Sequence, residues 1–199
     1  MFRPKHLTAF FIITLYFIPL CDAVNITEIE DSYTNSVNYS INYGVSPYLE
    51  TTWSTPRQEY IYIKFYVPFY TSSAKVNIYC SGKPGGTANL YQTSYDWNED
   101  EITWNNSPSV EYTSSAISSV AISTDNKWYT FNVSSVVTEP GWYSFKLRAG
   151  YGYINQFNSS EAAINTPYLE VEPVTYQDFI INNKTNNDDR AFLVKTGDC

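Results

Sequence analysis

The side chains of this chain that could do chemistry are mainly carboxylates and tyrosines. Its 199 residues include 20 acidic residues, 19 tyrosines and one histidine, His6. Because His6 falls in a leader-like segment, the rest of the chain cannot form a Ser-His-Asp or Cys-His arrangement. Histidine-ligated metal sites are excluded too, and Cys80 and Cys199 alone cannot build a structural zinc site. Carboxylate chemistry, oxygen-ligated calcium or no chemistry remains.

An acidic cluster lies at the middle of the sequence and consists of Asp96, Glu99, Asp100 and Glu101. Glycoside hydrolysis needs two carboxyl groups about 5–9.5 Å apart, one of them with a raised pKa. Neighbours in sequence on one loop seldom converge on a single bond, so the cluster is interpreted as a solvated acidic loop. No catalytic residues are therefore predicted, and the chain is expected not to be an enzyme.

The first 23 residues predict a signal peptide. Arg3 and Lys5 precede an apolar run from Leu7 to Leu20, and Ala23 offers a small residue before a cleavage point. The run is shorter than the roughly 18–20 residues that span a bilayer. We therefore expect a secreted or cell-surface protein with no membrane insertion after cleavage. An uncleaved anchor is the alternative.

The charge of the chain argues against nucleic acid as a partner. The formal net charge is −8, and cleavage after Ala23 removes more positive than negative charge. Nucleic-acid binding needs a basic footprint, which such an acidic chain does not supply. Six Asn-x-Ser/Thr triplets are candidate glycan acceptors in an exported protein; they begin at Asn25, Asn38, Asn105, Asn132, Asn158 and Asn183.

The elements that must position these side chains are β-strands. From Val24 to Val171, short segments rich in Tyr, Val, Ile, Phe and Thr are broken by Gly, Pro, Asn and Ser, which predicts a sandwich or a barrel. Period-2 alternation places Ile61, Ile63, Phe65 and Val67 on one face of the clearest strand. Cys80 continues such an apolar face and is interpreted as a buried free thiol. Ser109–Asp125 is expected to be a long surface connection.

The opposite strand faces carry basic and aromatic side chains. If these strands share a sheet, an otherwise acidic protein displays a surface suited to a uronate or sulfated glycan, since rings stack on sugars while Lys and Arg pair with anions. The alternative is that Lys on solvent faces merely discourages aggregation and that the strands do not meet. The predicted carbohydrate-binding residues are Tyr60, Tyr62, Lys64, Tyr66, Lys75, Tyr79, Trp142, Lys146 and Arg148.

An ordered set of motifs resembles a known family. Asp31-Ser-Tyr33 and Asn42-Tyr-Gly44 are followed by Trp97-Asn-Glu99, Ile102-Thr-Trp-Asn-Asn-Ser-Pro108 and Pro167-Tyr-Leu-Glu-Val171. Together they look like the DNRLRE domain, also classed as carbohydrate-binding module family 96. The stretch W-x-E-x-x-I-T-W-N-N-x-P is the most specific part, and the resemblance spans roughly Asp31 to Glu172.

The resemblance implies an all-β, two-sheet antiparallel jelly-roll β-sandwich on a secreted protein, with acidic glycans such as alginate as ligands. Family members often carry S-R-E where this chain has N-S-S-E after Phe157, so no role of that Arg can be transferred. Jelly-roll modules often hold a structural calcium ion, for which Asp31 and Glu161 are the candidate ligands. Trp97 and Trp104 are interpreted as structural rather than sugar-stacking residues.

The sequence predicts three segments and one leading function. Residues 1–23 are expected to be the signal peptide, 24–172 a carbohydrate-binding-module-like sandwich, and 173–199 a polar tail. The predicted function is non-catalytic binding of an acidic polysaccharide, with no cofactor other than that candidate calcium ion. The alternatives are a structural or adhesive surface protein that contacts neighbouring envelope proteins, and a small polysaccharide-cleaving enzyme.

Overall fold

The protein folds as an all-β sandwich in the computed structural model, which describes residues 22–108 and 115–174. Nearly all of the predicted signal peptide and most of the polar tail lie outside these residues, as do Cys199 and Asn183. In the described part every regular element is a strand, and no helical segment has the length and hydropathy needed to cross a bilayer. The strands are β1 Val24–Ile26, β2 Ile29–Asn35, β3 Tyr48–Trp53, β4 Gln58–Val67, β5 Thr71–Gly82, β6 Thr87–Thr93, β7 Ser118–Ala121, β8 Lys127–Asn132, β9 Gly141–Ala149, β10 Ile154–Asn158 and β11 Tyr168–Pro173.

Two layers of antiparallel strands are linked into one curled sheet. One layer runs β2-β4-β9-β6-β7, and in the other β5 pairs with β8 on one edge and with β11 and β10 on the other. Strand β3 pairs with β10 and also begins a ladder with β4 at Thr52 and Glu59, so it joins the layers. The predicted fold class is confirmed as all-β and antiparallel, with hydrogen bonding continuous between the layers.

The core lies between the inward faces that the period-2 pattern predicted. Ile61, Ile63, Phe65 and Val67 of β4 are buried and pack in one apolar cluster with the inward residues of β5, β8 and β9. Cys80 is buried and free, as expected. Burial of these side chains is the main stabilising contribution, at roughly 1.5–3 kcal/mol for each large apolar side chain.

One predicted connection contains a strand. Ser109–Asp125 was expected to be a surface loop, but Ser118–Ala121 forms β7 against β6, and Ile122 is buried. The segment is Ser-rich, so its side chains carry little apolar signal. The pairing comes instead from the backbone, because the edge of β6 offers hydrogen bonds that β7 satisfies.

Candidate functional site

Strands β4 and β9 bring most of the predicted binding residues onto one outer sheet face. Their register places Tyr62 opposite Lys146, Lys64 opposite Ser144, and Tyr66 opposite Trp142. Side chains at alternate positions of neighbouring strands share a face. The face therefore carries Tyr60, Tyr62, Lys64, Tyr66, Trp142, Lys146 and Arg148, seven of the nine predicted residues.

Lys75 and Tyr79 do not belong to this face. Their strand, β5, pairs with β8, β10 and β11 in the other layer of the sandwich. Lys75 forms an ion pair with Glu170 at 2.7 Å, and Tyr79 packs edge-on against Trp128. The expectation of a three-strand platform is corrected to two strands, because strand parity specifies the face of a strand but not the layer in which it lies.

A segment that we call the tryptophan loop, Trp97–Pro108, covers part of this face. The Trp97 indole N–H donates to Ser144 Oγ at 2.9 Å, and its ring packs edge-on against Tyr62. The Lys64 ammonium donates to the Trp97 carbonyl at 2.6 Å. These contacts support the structural interpretation of Trp97.

Two of the expected platform cations, buried Lys64 and half-buried Arg148, are engaged in structural contacts. Lys64 is 7% exposed, forms an ion pair with Glu30 at 2.8 Å and lies 4.8 Å from the centre of the Trp97 ring. The Arg148 guanidinium lies between the Trp53 and Tyr91 rings, 4.6 and 4.8 Å from their centres. Both side chains pack on aromatic rings, so replacing either of them would remove packing contacts as well as a charge.

A cavity of about 390 Å³ opens where the tryptophan loop meets the sheet. Its floor is formed by Tyr60, Tyr62 and Lys146, and its wall by residues 104–108. Trp104 stacks on Tyr60 with ring centres 5.2 Å apart, and the Lys146 ammonium lies 4.8 Å from the centre of the same tyrosine ring. Aromatic surfaces with a few fixed polar groups are typical of small-ligand sites.

Local hydrogen bonds hold the wall of the cavity in place. Asn106 accepts from the Thr103 N–H at 2.6 Å and donates to the Glu101 carbonyl at 2.9 Å. The Tyr62 hydroxyl donates to the Pro108 carbonyl at 3.2 Å, which ties the end of the loop to the floor. The Asn106 side chain therefore caps the turn that forms the wall.

A second cluster lies at the edge of the same layer, where three carboxylates converge. Asp31 of β2, Glu99 of the tryptophan loop and Glu161, which follows β10, each place an oxygen within 4.8 Å of the other two. Two unit charges at that distance repel by about 3 kcal/mol at an effective dielectric constant of roughly 20. Within the described residues, none of the three forms an ion pair with Lys or Arg.

Hydrogen bonds hold the three carboxylates together despite this repulsion. The Asp31 N–H donates to Glu99 Oε1 at 2.8 Å, and the Ser160 N–H donates to Asp31 Oδ2 at 2.9 Å. Burial, with the neighbouring Glu161 charge, raises the pKa of Asp31 well above its ordinary value. Burial also raises the pKa of Glu99 to about 7, with a further contribution from Glu161.

The sequence comparisons place the chain in a family. The model of carbohydrate-binding module family 96 matches residues 22–173, well over half of the sequence. The chain belongs to carbohydrate-binding module family 96. No curated protein matches it. The solved structures similar to it include the carbohydrate-binding module CBM6cm-2 from Cellvibrio mixtus lichenase 5A in complex with cellotriose, at 11% identity and a TM-score of 0.27, covering 75% of this chain and 99% of that one.

Both clusters of this family 96 module draw on its most specific motif. Within W-x-E-x-x-I-T-W-N-N-x-P, Glu99 joins the carboxylates and Trp104 forms the cavity wall. The structure brings the predicted ligands Asp31 and Glu161 together and adds Glu99, which was assigned to a solvated loop. That interpretation holds for Asp96, Asp100 and Glu101, which are exposed, and is corrected for Glu99, which turns inward to β2.

The sequence did not reveal that Glu99 joins the carboxylate cluster. Side chains in a loop do not alternate between two faces, so the sequence does not show which way they point. One signal was nevertheless available at Asp31. It occupies an inward position of β2, opposite Ile63, where an apolar residue is expected. A fully buried carboxylate needs partners, and the search for those partners leads to the tryptophan loop.

Proposed function

We propose that this protein is an exported, non-catalytic module that binds an acidic polysaccharide in the cavity beneath the tryptophan loop. Membership of family 96 supports carbohydrate binding in general. The observation that carries the choice of site is the stack of Trp104 on Tyr60, with Lys146 at the same floor. The predicted signal peptide and the resemblance to secreted modules support export.

Aromatic side chains explain how a sugar ring binds here. Trp104 was expected to be structural, and we propose a stacking role for it instead. It is half-buried, so its indole is held by the loop while part of its surface remains accessible. The C–H face of a pyranose packs on such a surface, and rigid aromatic rings bind at a low cost in conformational entropy. Asn105, which is exposed on the wall, adds a side-chain amide for sugar hydroxyls.

Lys146 supports the preference for acidic sugars. Its side chain lines the cavity, with the ammonium 4.8 Å from the centre of the Tyr60 ring. A charge-assisted hydrogen bond to a uronate carboxylate or a sulfate is stronger than a neutral one. The resemblance to modules that bind alginate points in the same direction. A neutral glycan would gain the stacking contact but not this interaction.

The lining of the cavity also supports binding without catalysis. None of the described residues that line it is a carboxylate, whereas glycoside hydrolysis uses two. We therefore expect the glycan to be retained without being cleaved.

Affinity electrophoresis of the chain Val24–Cys199 tests the proposal. Gels containing alginate, polygalacturonate or a sulfated galactan should retard the protein, while gels with a neutral glucan or xylan should retard it far less. The recovered polysaccharide should show no new reducing ends. A folded protein that migrates identically in all of these gels contradicts the proposed function.

Trp104→Ala locates the binding site. We expect this variant to lose most of its retardation in the acidic gel, because the stacking wall is removed. Trp142→Ala is the matched control, since Trp142 is an exposed tryptophan on the same sheet face but does not line the cavity. Equal losses in the two variants, at unchanged melting temperatures, contradict the cavity as the site.

A further inference from the structure

The three converging carboxylates come from segments far apart in the chain. Asp31 lies in β2, Glu99 in the tryptophan loop and Glu161 in the turn after β10. Their spacing of at most 4.8 Å brings together three charges of the same sign, with no Lys or Arg ion pair in the described chain to offset them. A bound cation would relieve the repulsion within this cluster.

An orphaned buried atom in the cluster gives an independent indication of a ligand. The Asp31 side chain is 0% exposed, and Oδ2 accepts from the Ser160 N–H. Its other oxygen, Oδ1, is buried with no hydrogen-bond partner among the residues described. An unpaired carboxylate oxygen in a protein interior is costly unless it is hydrogen-bonded or coordinates a metal.

We propose that Asp31, Glu99 and Glu161 bind a divalent cation, and that this cation is Ca²⁺. The donors are all carboxylate oxygens, which hard cations prefer, and neither imidazole nor thiolate is among them. Mg²⁺ requires near-ideal octahedral geometry, whereas Ca²⁺ accepts irregular sets of oxygens. Glu161 is exposed, so water can complete the coordination shell from the solvent side.

The cation would fasten the tryptophan loop to the sandwich. Glu99 is two residues from Trp97 and five from Trp104, and its backbone carbonyl already accepts from the Asn42 side chain at 2.7 Å. A bound ion adds a cross-link from this loop to β2 and to the turn after β10. Its effect on glycan binding rests on the proposed function, whereas cation binding itself does not.

Calorimetric titration of CaCl₂ into chelator-treated, dialysed Val24–Cys199 measures the site directly. We expect one Ca²⁺ per chain and a melting temperature that rises with free Ca²⁺, because a ligand that binds only the folded state stabilises it. MgCl₂ should bind far more weakly. Absence of both heat and a thermal shift at millimolar Ca²⁺ overturns the site.

Two isosteric variants distinguish Ca²⁺ binding at this cluster from non-specific attraction of Ca²⁺ to an acidic protein. Glu99→Gln should weaken Ca²⁺ binding by about tenfold or more, because ligand charge sets affinity. In EDTA this variant should melt above the unmodified chain, since one repelling charge is gone, so its loss of binding cannot be attributed to misfolding. Glu101→Gln changes an exposed neighbour outside the cluster and should leave both values unchanged. Equal effects of the two variants overturn the assignment.

The acidic-glycan gel, run in Ca²⁺ and in EDTA, distinguishes failure of this proposal from failure of the proposed function. Retardation of the unmodified chain that weakens in EDTA, while that of Glu99→Gln does not, supports the coupling between the ion and the loop. Retardation unaffected by EDTA, in a chain that binds Ca²⁺ by calorimetry, overturns the coupling but not the site. Ca²⁺ binding without retardation in either gel overturns the glycan function alone.

Discussion

At the residue scale, the proposed preference for acidic glycans depends on Lys146. It lies at the floor of the cavity with its ammonium over the Tyr60 ring, and it is only 6% exposed. In such surroundings its interaction with an anion is less screened than on an open surface. Under the proposed function, the choice between acidic and neutral glycans would depend on this residue, although the net charge of the whole chain is −8.

Replacing Lys146 by Met tests that role. Methionine keeps much of the apolar stem and removes the charge, so we expect affinity for the acidic polysaccharide to fall about tenfold, or about 1.5 kcal/mol. Weak binding to neutral glycans should change little. Lys75→Met is the control, because Lys75 was part of the platform expected from sequence but lies in the other layer. If Lys75→Met weakens retention as much as Lys146→Met does, the cavity is not the site.

At the scale of elements, the tryptophan loop connects the two clusters. The Asn42 side chain donates to the carbonyls of Glu99 and Ile102 at 2.7 and 2.8 Å. Ile102 is itself a residue of the loop, and its side chain is buried. Gly44 lies so close that an added Cβ would stand 2.4 Å from the Glu99 carbonyl oxygen. The Asn42-Tyr-Gly44 turn therefore holds the backbone that carries Glu99, and through it the start of the cavity wall.

Gly44→Ala should displace this backbone. We expect a loss of about 1–3 kcal/mol in the free energy of unfolding, typical of overpacking at a close contact. Urea denaturation measures this loss, and retention of the acidic polysaccharide should fall with it. Val45→Ala is the control, since Val45 is 80% exposed, and should remain within about 0.5 kcal/mol of the unmodified chain. A Gly44→Ala variant as stable as this control contradicts the anchoring role of the turn.

At the scale of the whole molecule, β10 and β3 join the two layers of the sandwich. Phe157 of β10 is fully buried, pairs with Leu49 of β3 and also pairs with Cys80 of β5. Its ring belongs to the one apolar core that supports both sheet faces. Because the core is shared, damage at this junction should reach the distant cavity only by unfolding the domain.

Phe157→Ala tests this single-core architecture. We expect a loss of about 3–5 kcal/mol in the free energy of unfolding, the usual cost of deleting a buried aromatic ring. Fluorescence and circular dichroism should report coincident transitions, since one core unfolds as one unit. Tyr151→Ala, at a residue that is 66% exposed, serves as the control and should change stability little. Two separate transitions in Phe157→Ala contradict a shared core.

The sequence by itself determined the all-β class and the direction of side chains within its clearest strands. Alternation with period 2 is a local property, so it placed Ile61, Phe65 and Cys80 inward and Tyr66 and Trp142 outward, as the structure has them. The motif order likewise indicated family 96. The assignment of side chains to faces succeeded because successive side chains in a strand point to opposite sides of the sheet.

Only the tertiary structure decided which faces meet and which side chains they cover. Strand pairing joins residues far apart in sequence, so nothing local to β5 shows that Lys75 lies in the layer opposite Lys146. The direction of Glu99 depends on where its loop crosses β2, and that crossing depends on contacts such as Asn42 to the Glu99 carbonyl. Face assignment is local, whereas neighbours and burial are global, so the chemistry of both clusters emerges only when the sandwich closes.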